Sequence, residues 1–118
     1  RGDYRSMMGV SPSAAAQSAI EAGAHIIGTN CGNGIERMVD IVTEMRSVNG
    51  DIPVLVHANA GLPKNVNGVD VFPASPDVMA AHVPALLAAG ANIIGGCCGT
   101  SPAHISAIKK AVVSYRSK

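Results

Sequence analysis

The chain has 118 residues, of which 47% are hydrophobic, 14% charged and 3% aromatic, with a net charge of +1. That is enough apolar material for one globular core, so disorder is excluded. The balanced charge leaves no footprint for nucleic acid or an anionic membrane surface, and the apolar runs fall far short of the roughly 20 residues of a membrane span. No basic segment followed by an apolar run stands at the start, so a signal peptide is not expected. With one Phe, two Tyr and no Trp, the core must be built almost entirely from Leu, Ile, Val and Ala.

Ser-Pro occurs at Ser11-Pro12, Ser75-Pro76 and Ser101-Pro102, each time ahead of a helix-compatible stretch. Ser accepts an orphan N–H at the N-cap, and Pro fits the first helical position. The first helix is therefore expected from Pro12 to about Ala22, with Gly23 closing it. A short strand, His25 to Thr29, follows. A second helix starts near Gly34 and carries the stripe Ile35, Met38, Val39, Val42 and Met45, and Asn49-Gly50 stops it. Pro53 to Ala58 reads as a buried strand. Gly61 to Ala74, rich in Gly, Pro and Asn, reads as a loop. Pro76 to Ala89 reads as a third helix ended by Gly90, with Pro84 either kinking or splitting it. Asn92 to Gly95 is a third strand and Pro102 to Tyr115 a fourth helix.

The order is α-β-α-β-α-β-α, which predicts a parallel sheet covered by helices, an α/β fold. An internal repeat sharpens this. The segment Ala22 to Gly32 (AGAHIIGTNCG) aligns without gaps to Ala89 to Gly99 (AGANIIGGCCG), 67 positions later. Two strand–helix units fit in that offset, each of about 33 residues, the size used in a (β/α)8 barrel. Three parallel strands do not close a barrel and leave edges with unpaired backbone groups. The chain is therefore expected to be a piece of a larger barrel or to associate with another piece, and its start at Arg1 rather than methionine favours the first.

Function in a barrel sits on the loops after the C-terminal ends of the strands. Cys31 is expected just after the first strand and Cys97-Cys98 just after the third, so all three thiols belong to one rim. Three cysteines, two of them adjacent, do not make a disulfide framework, because neighbouring cysteines bridge only with strain. In a reducing compartment they read as metal ligands, catalytic groups or inert core residues. Three convergent thiolates suit Zn²⁺ with one position open, while inert burial is the competing reading. Gly95-Gly96 followed by Cys-Cys-Gly-Thr-Ser-Pro also has the look of a phosphate loop ahead of a helix N-terminus. His57 is a ligand or general base at the rim, or simply a hydrogen-bonded structural residue. Asn30 and Asn59 stand at strand ends, where substrate is oriented; turn chemistry is the alternative. His25, His82 and His104 read as structural or solvent-facing, on the helix side or at the other strand end. Met7 and Met8 are expected to pack at the end of a preceding element.

Gly28-Thr29-Asn30-Cys31-Gly32, then Ala58-Asn59-Ala60-Gly61-Leu62-Pro63, then Gly95-Gly96-Cys97-Cys98-Gly99-Thr100 resemble the three signature stretches of the homocysteine S-methyltransferase family. The resemblance extends over essentially the whole chain, including Met7 to Pro12. It implies that residues 1–118 are the C-terminal part of a homocysteine-binding (β/α)8 TIM barrel, and that Cys31, Cys97 and Cys98 bind Zn²⁺ with the homocysteine sulfur as fourth ligand. It further implies transfer of a methyl group to that sulfur, giving methionine, in a cytoplasmic protein. Asn30 and Asn59 are the substrate-binding residues on this reading. The partners implied are homocysteine, a methyl donor, and the remainder of the barrel or other modules of a longer protein. Cys31 to Glu36 is most similar to the cobalamin-dependent branch, where methylcobalamin is bound by another module. Betaine and S-methylmethionine stay open as donors. His57-Ala58 departs from the Gln-Pro or Tyr-Pro common before the Asn, so the resemblance assigns His57 no role. Two readings from other classes stay beside it: a non-catalytic metal-binding or interaction fragment that needs a complementary partner, and a phosphate-binding barrel enzyme.

Overall fold

A computed structural model describes residues 10–61 and 64–117, with the side chains of residues 31–34 outside the description. Met7 and Met8, and the Leu62-Pro63 end of the second signature stretch, therefore lie outside the described residues. The elements run α1 (Pro12–Glu21), β1 (Ile27–Gly34), α2 (Ile35–Val48), β2 (Val54–Asn59), β3 (Lys64–Val66), β4 (Val69–Val71), α3 (Pro76–Ala81), α4 (Val83–Ala89), β5 (Ile93–Gly96) and α5 (Pro102–Arg116). Strands β1, β2 and β5 form one parallel sheet in the order β1-β2-β5. This is the α/β architecture expected, arranged like three consecutive units of a (β/α)8 barrel, with the barrel not closed.

The Ser-Pro signals work through their predicted chemistry at the first two sites. Ser11 Oγ accepts from Ala14 N at 3.2 Å, and Ser75 Oγ from Val78 N at 3.2 Å. At the third, His104 reaches back instead: its Nδ1 accepts the Ser101 backbone N–H at 3.1 Å. Pro84 splits the third predicted helix into α3 and α4, jointed at His82. The cause is its missing N–H and the clash of its ring with the carbonyl four residues back. Gly90, at φ +119°, closes α4 in the left-handed conformation that a helix C-cap favours.

Two departures from the expected elements matter. β1 starts two residues later than predicted and continues through Cys31 to Gly34, because its ladder with β2 resumes past a bulge: Asn30 pairs His57 and Gly34 pairs Asn59. Cys31 therefore lies within β1 rather than after it. The predicted loop over Gly61 to Ala74 contains the antiparallel hairpin β3–β4. Its turn residues Asn67 (φ 53°) and Gly68 (φ 83°) both take positive φ, the geometry for which Asn-Gly is the favoured hairpin pair.

Strand β2 alternates as a strand with unlike faces should. Val54, Val56 and Ala58 are fully buried and join Ile35, Met38, Ile41, Val42 and Met45 of α2 in the core. Val39, expected in the α2 stripe, is only half-buried, and Ile41 takes the deeper place. Leu55 and His57, on the other face of β2, are half-buried, and Gly28 and Asn30 beside them on β1 are exposed. Among the described residues, one face of the sheet is thus packed by helices and the other is open. Arg46 braces the end of the sheet away from the rim. Its guanidinium donates to Asn49 O (3.1 Å), Ile52 O (2.7 Å), Gly90 O (2.6 Å) and Asn92 Oδ1 (3.0 Å). Asn92 Oδ1 also accepts from Val54 N at 2.9 Å.

Candidate functional site

The C-terminal tips of β2 and β5 meet at Asn59 and Cys97-Cys98. Parallel pairing carries β2 and β5 side by side as far as Ala58 and Gly96. Beyond that row the two chains stay bonded: Cys97 N donates to Ala58 O at 2.8 Å, and Ala60 N donates to Cys98 O at 2.9 Å. Asn59 is buried, 7% exposed, and its Oδ1 accepts the Cys98 N–H at 3.0 Å. Thr100 closes the turn, donating to Cys97 O from its N at 3.2 Å and from its hydroxyl at 2.7 Å.

The glycines of Gly95-Gly96-Cys97-Cys98-Gly99-Thr100 each have a steric reason. A Cβ on Gly95 would stand 2.8 Å from Cδ2 of the His57 ring. On Gly96 it would stand 2.5 Å from the Thr100 hydroxyl and 2.8 Å from its Cβ. On Gly99 it would overlap the Phe72 ring, and Gly99 also takes φ +80°, a backbone state costly for other residues. The motif thus seats a ring, a hydroxyl and a turn around the two cysteines.

The thiols themselves are accessible: Cys97 is half-buried and Cys98 exposed. Their Sγ atoms lie 4.0 Å apart, so they do not bridge each other. Two thiolates at about 2.3 Å from a tetrahedral zinc stand about 3.8 Å apart. The pair therefore fits two vertices of such a centre without rearrangement. Among the described residues no three metal-binding side chains converge. The Cys31 side chain lies outside the described residues; its backbone follows Asn30 in β1, at the same end of the sheet as Asn59 and Cys97.

Asn30 is exposed on the open face, in register with His57, which in turn pairs Gly95. The row Asn30–His57–Gly95 lies one step below the tips, with the His57 ring across Gly95. His25 is exposed and His82 is the joint between α3 and α4. His104 is structural, as expected, but it stands at the rim end of α5 rather than away from it. It is 9% exposed, its Nδ1 accepts from Ser101 N, and its Nε2–H donates to Ala74 O at 2.8 Å. Ala74 N donates to Ala60 O at 3.0 Å, so His104 and Ala60 together tie the base of the hairpin loop to the cysteine turn.

The hydrogen bonding of the loop gives the phosphate-loop reading little to stand on. An anion cradle needs outward N–H groups. Here the N–H groups of Cys97, Cys98, Thr100 and Ser101 donate to Ala58 O, Asn59 Oδ1, Cys97 O and His104 Nδ1. Sequence reasoning missed the roles of Thr100, Phe72 and Arg46. Only the Asn67-Gly68 hairpin signal and the Thr after the glycine turn pointed near them.

A sheet tip that braces an accessible thiol pair defines a candidate soft-metal site on an α/β scaffold. The chain matches the homocysteine S-methyltransferase family over residues 1–112 and belongs to it. It is similar to the methionine synthase of Mycobacterium tuberculosis (strain ATCC 25618 / H37Rv), 38% identical over 105 residues, covering 86% of this chain and 9% of the relative. It is also similar to the methionine synthase of Mycobacterium leprae (strain TN), 39% identical over 101 residues, covering 83% of this chain and 8% of the relative. The chain thus spans less than a tenth of these relatives' length. Among the described residues no helix is long and apolar enough to cross a membrane.

Proposed function

We propose that this chain is the C-terminal part of a homocysteine-binding (β/α)8 barrel that transfers a methyl group to the homocysteine thiol, giving methionine. Residues 1–118 form one part of that domain. The observation that carries the reading is the Cys97–Cys98 pair, two accessible thiols 4.0 Å apart at the rim of the sheet, in a chain of this family. Among the described residues no further strand pairs with the outer edges of β1 and β5, which suits a barrel completed by further strands.

Cys31, Cys97 and Cys98 would hold Zn²⁺, for which three soft ligands and one open position are the catalytic arrangement. Bound there, zinc supplies Lewis acidity that turns a coordinated thiol into a thiolate at neutral pH. The tip of β2 fixes two of the three ligands. Asn30, exposed on the open face, orients the amino-acid end of the substrate. Asn59 has Oδ1 engaged with Cys98, so its amide hydrogens are what it offers a substrate. The thiol proton passes to solvent. The homocysteine sulfur then forms a bond to the methyl carbon as the methyl–donor bond breaks in line, and the donor keeps that electron pair. Methylcobalamin held by another module of a longer protein is the donor we favour, because Cys31 to Glu36 resembles the cobalamin-dependent branch and the chain is similar to two methionine synthases. Accessible thiols at the site suit the reducing cytoplasm.

The test is Cys98→Ala in the complete protein, with zinc stoichiometry and methyl transfer measured together. Loss of both is expected. Stoichiometric zinc with full activity would overturn the assignment.

A further inference from the structure

We propose that His57 is a specificity-determining residue: a ring N–H donates to the α-carboxylate of homocysteine while the substrate sulfur is held at the cysteines. The inference rests on the homocysteine reading above and adds which end of the amino acid this part of the barrel takes. His57 is half-buried on the open face of β2, one row below the tips, between Asn30 and Gly95. Its ring leans across the sheet with the Cδ2–Nε2 edge leading. A Cβ built on Gly95 would stand 2.8 Å from Cδ2 and 3.2 Å from Nε2, against 3.9 Å from Cγ. Nε2 thus lies over β5, whose chain continues past Gly96 to Cys97. Only the missing side chain of Gly95 lets the ring reach that lane.

The ring is placed, yet among the described residues nothing hydrogen-bonds it, and neither of its nitrogens is buried. His104 is the contrast: its Nδ1 accepts from Ser101 N and its Nε2–H donates to Ala74 O. A histidine that serves the fold has its polar atoms engaged, whereas His57 presents them to the open face. Neutral or protonated, an imidazole offers at least one N–H. Strands β1, β2 and β5 contain no Asp or Glu. This face therefore offers donors to a carboxylate and no counter-charge to an ammonium, which needs an acidic partner once it leaves water. The spacing agrees. Two residues along a strand span about 6.6 Å, and extended homocysteine places its carboxyl carbon about 5 Å from its sulfur. A sulfur held at the tips thus sets the carboxylate near the His57 row, where the Asn30 amide stands alongside.

The experiment uses the complete zinc-loaded protein. Calorimetry measures binding of homocysteine and of its decarboxylated analogue, aminopropanethiol, with zinc content, KM and kcat for homocysteine and thermal melting in parallel. His57→Ala is expected to weaken homocysteine binding and raise its KM about 10–100-fold, the loss of one hydrogen bond to a charged group. Its kcat stays near the parent's, because the bond serves ground state and transition state alike. Aminopropanethiol binding and zinc content are expected to stay at the parent's values. His57→Gln, which keeps a side-chain N–H, is expected to recover part of the homocysteine affinity. A His57→Ala protein that weakens both thiols equally, or neither, would overturn the proposal and leave the homocysteine reading standing. A parent protein that does not bind homocysteine overturns both. If His57→Ala does not melt cooperatively, His57→Phe, which keeps a ring over Gly95 without an N–H, decides by the same outcomes.

Discussion

The ring of Phe72 lies against the α-carbon of Gly99, so closely that no side chain fits between them. The chain's one phenylalanine thereby presses the end of the hairpin loop onto the turn that carries Cys97 and Cys98. Gly99 has a second constraint, φ +80°. Gly99→Ala is therefore expected to destabilise the fold by about 2 kcal/mol, the sum of backbone strain and overpacking. Adding Phe72→Ala removes the clash but not the strain. A double-mutant cycle by urea denaturation should show the second substitution recovering part of the loss. Full additivity of the two losses would contradict the contact.

His57 and Gly95 form a similar pair across β2 and β5, with 2.8 Å between the ring and a hypothetical Cβ. Gly95→Ala is expected to cost about 1–3 kcal/mol in the parent. It should cost much less in a His57→Ala background, a coupling of about 1 kcal/mol or more. Thermal melts of the four proteins measure it. Equal costs in both backgrounds would place the ring elsewhere.

Arg46 joins three backbone carbonyls and the Asn92 side chain at the far end of the sheet. Hydrogen bonds to a charged group contribute about 1.5–3 kcal/mol, and acceptors left unmade add to the loss. Arg46→Ala is expected to destabilise by about 3 kcal/mol. Arg46→Lys should recover only part, because an ammonium lacks the planar fork that reaches several acceptors at once. Urea midpoints at constant m-value check both, and an Arg46→Lys variant as stable as the parent would show that charge alone suffices.

Metal bound by Cys97 and Cys98 must compete with protons for the sulfurs. Zinc affinity is therefore expected to fall as pH is lowered, with proton release on binding at neutral pH. Calorimetry in buffers of different ionisation enthalpy counts those protons. Binding without proton release, or affinity independent of pH, would exclude thiolate ligation.

Much of this was readable along the chain, and the reasons are local. Ser11-Pro12 and Ser75-Pro76 start helices because a hydroxyl and a preset φ act within one turn. Pro84 splits a helix by its own ring. The 67-residue repeat announced equivalent strands, and β1 and β5 are those strands. The hairpin at Asn67-Gly68 is equally local, but the Gly, Pro and Asn around it give the whole stretch the composition of a loop. The extension of β1 past Asn30 was not local: whether that stretch pairs depends on β2 lying beside it.

By itself the amino-acid sequence determined the α/β order, the apolar faces and the placing of Cys97 and Cys98 just past a strand end. Each of these follows from periodicity or from residues within a turn of one another. Only the tertiary structure decided that Asn59 braces Cys98, that Thr100 braces Cys97, and that Arg46 clasps the opposite end of the sheet. Those bonds join groups up to 46 positions apart. Their existence depends on which backbone atoms the packed sheet leaves facing one another, and no local pattern encodes that.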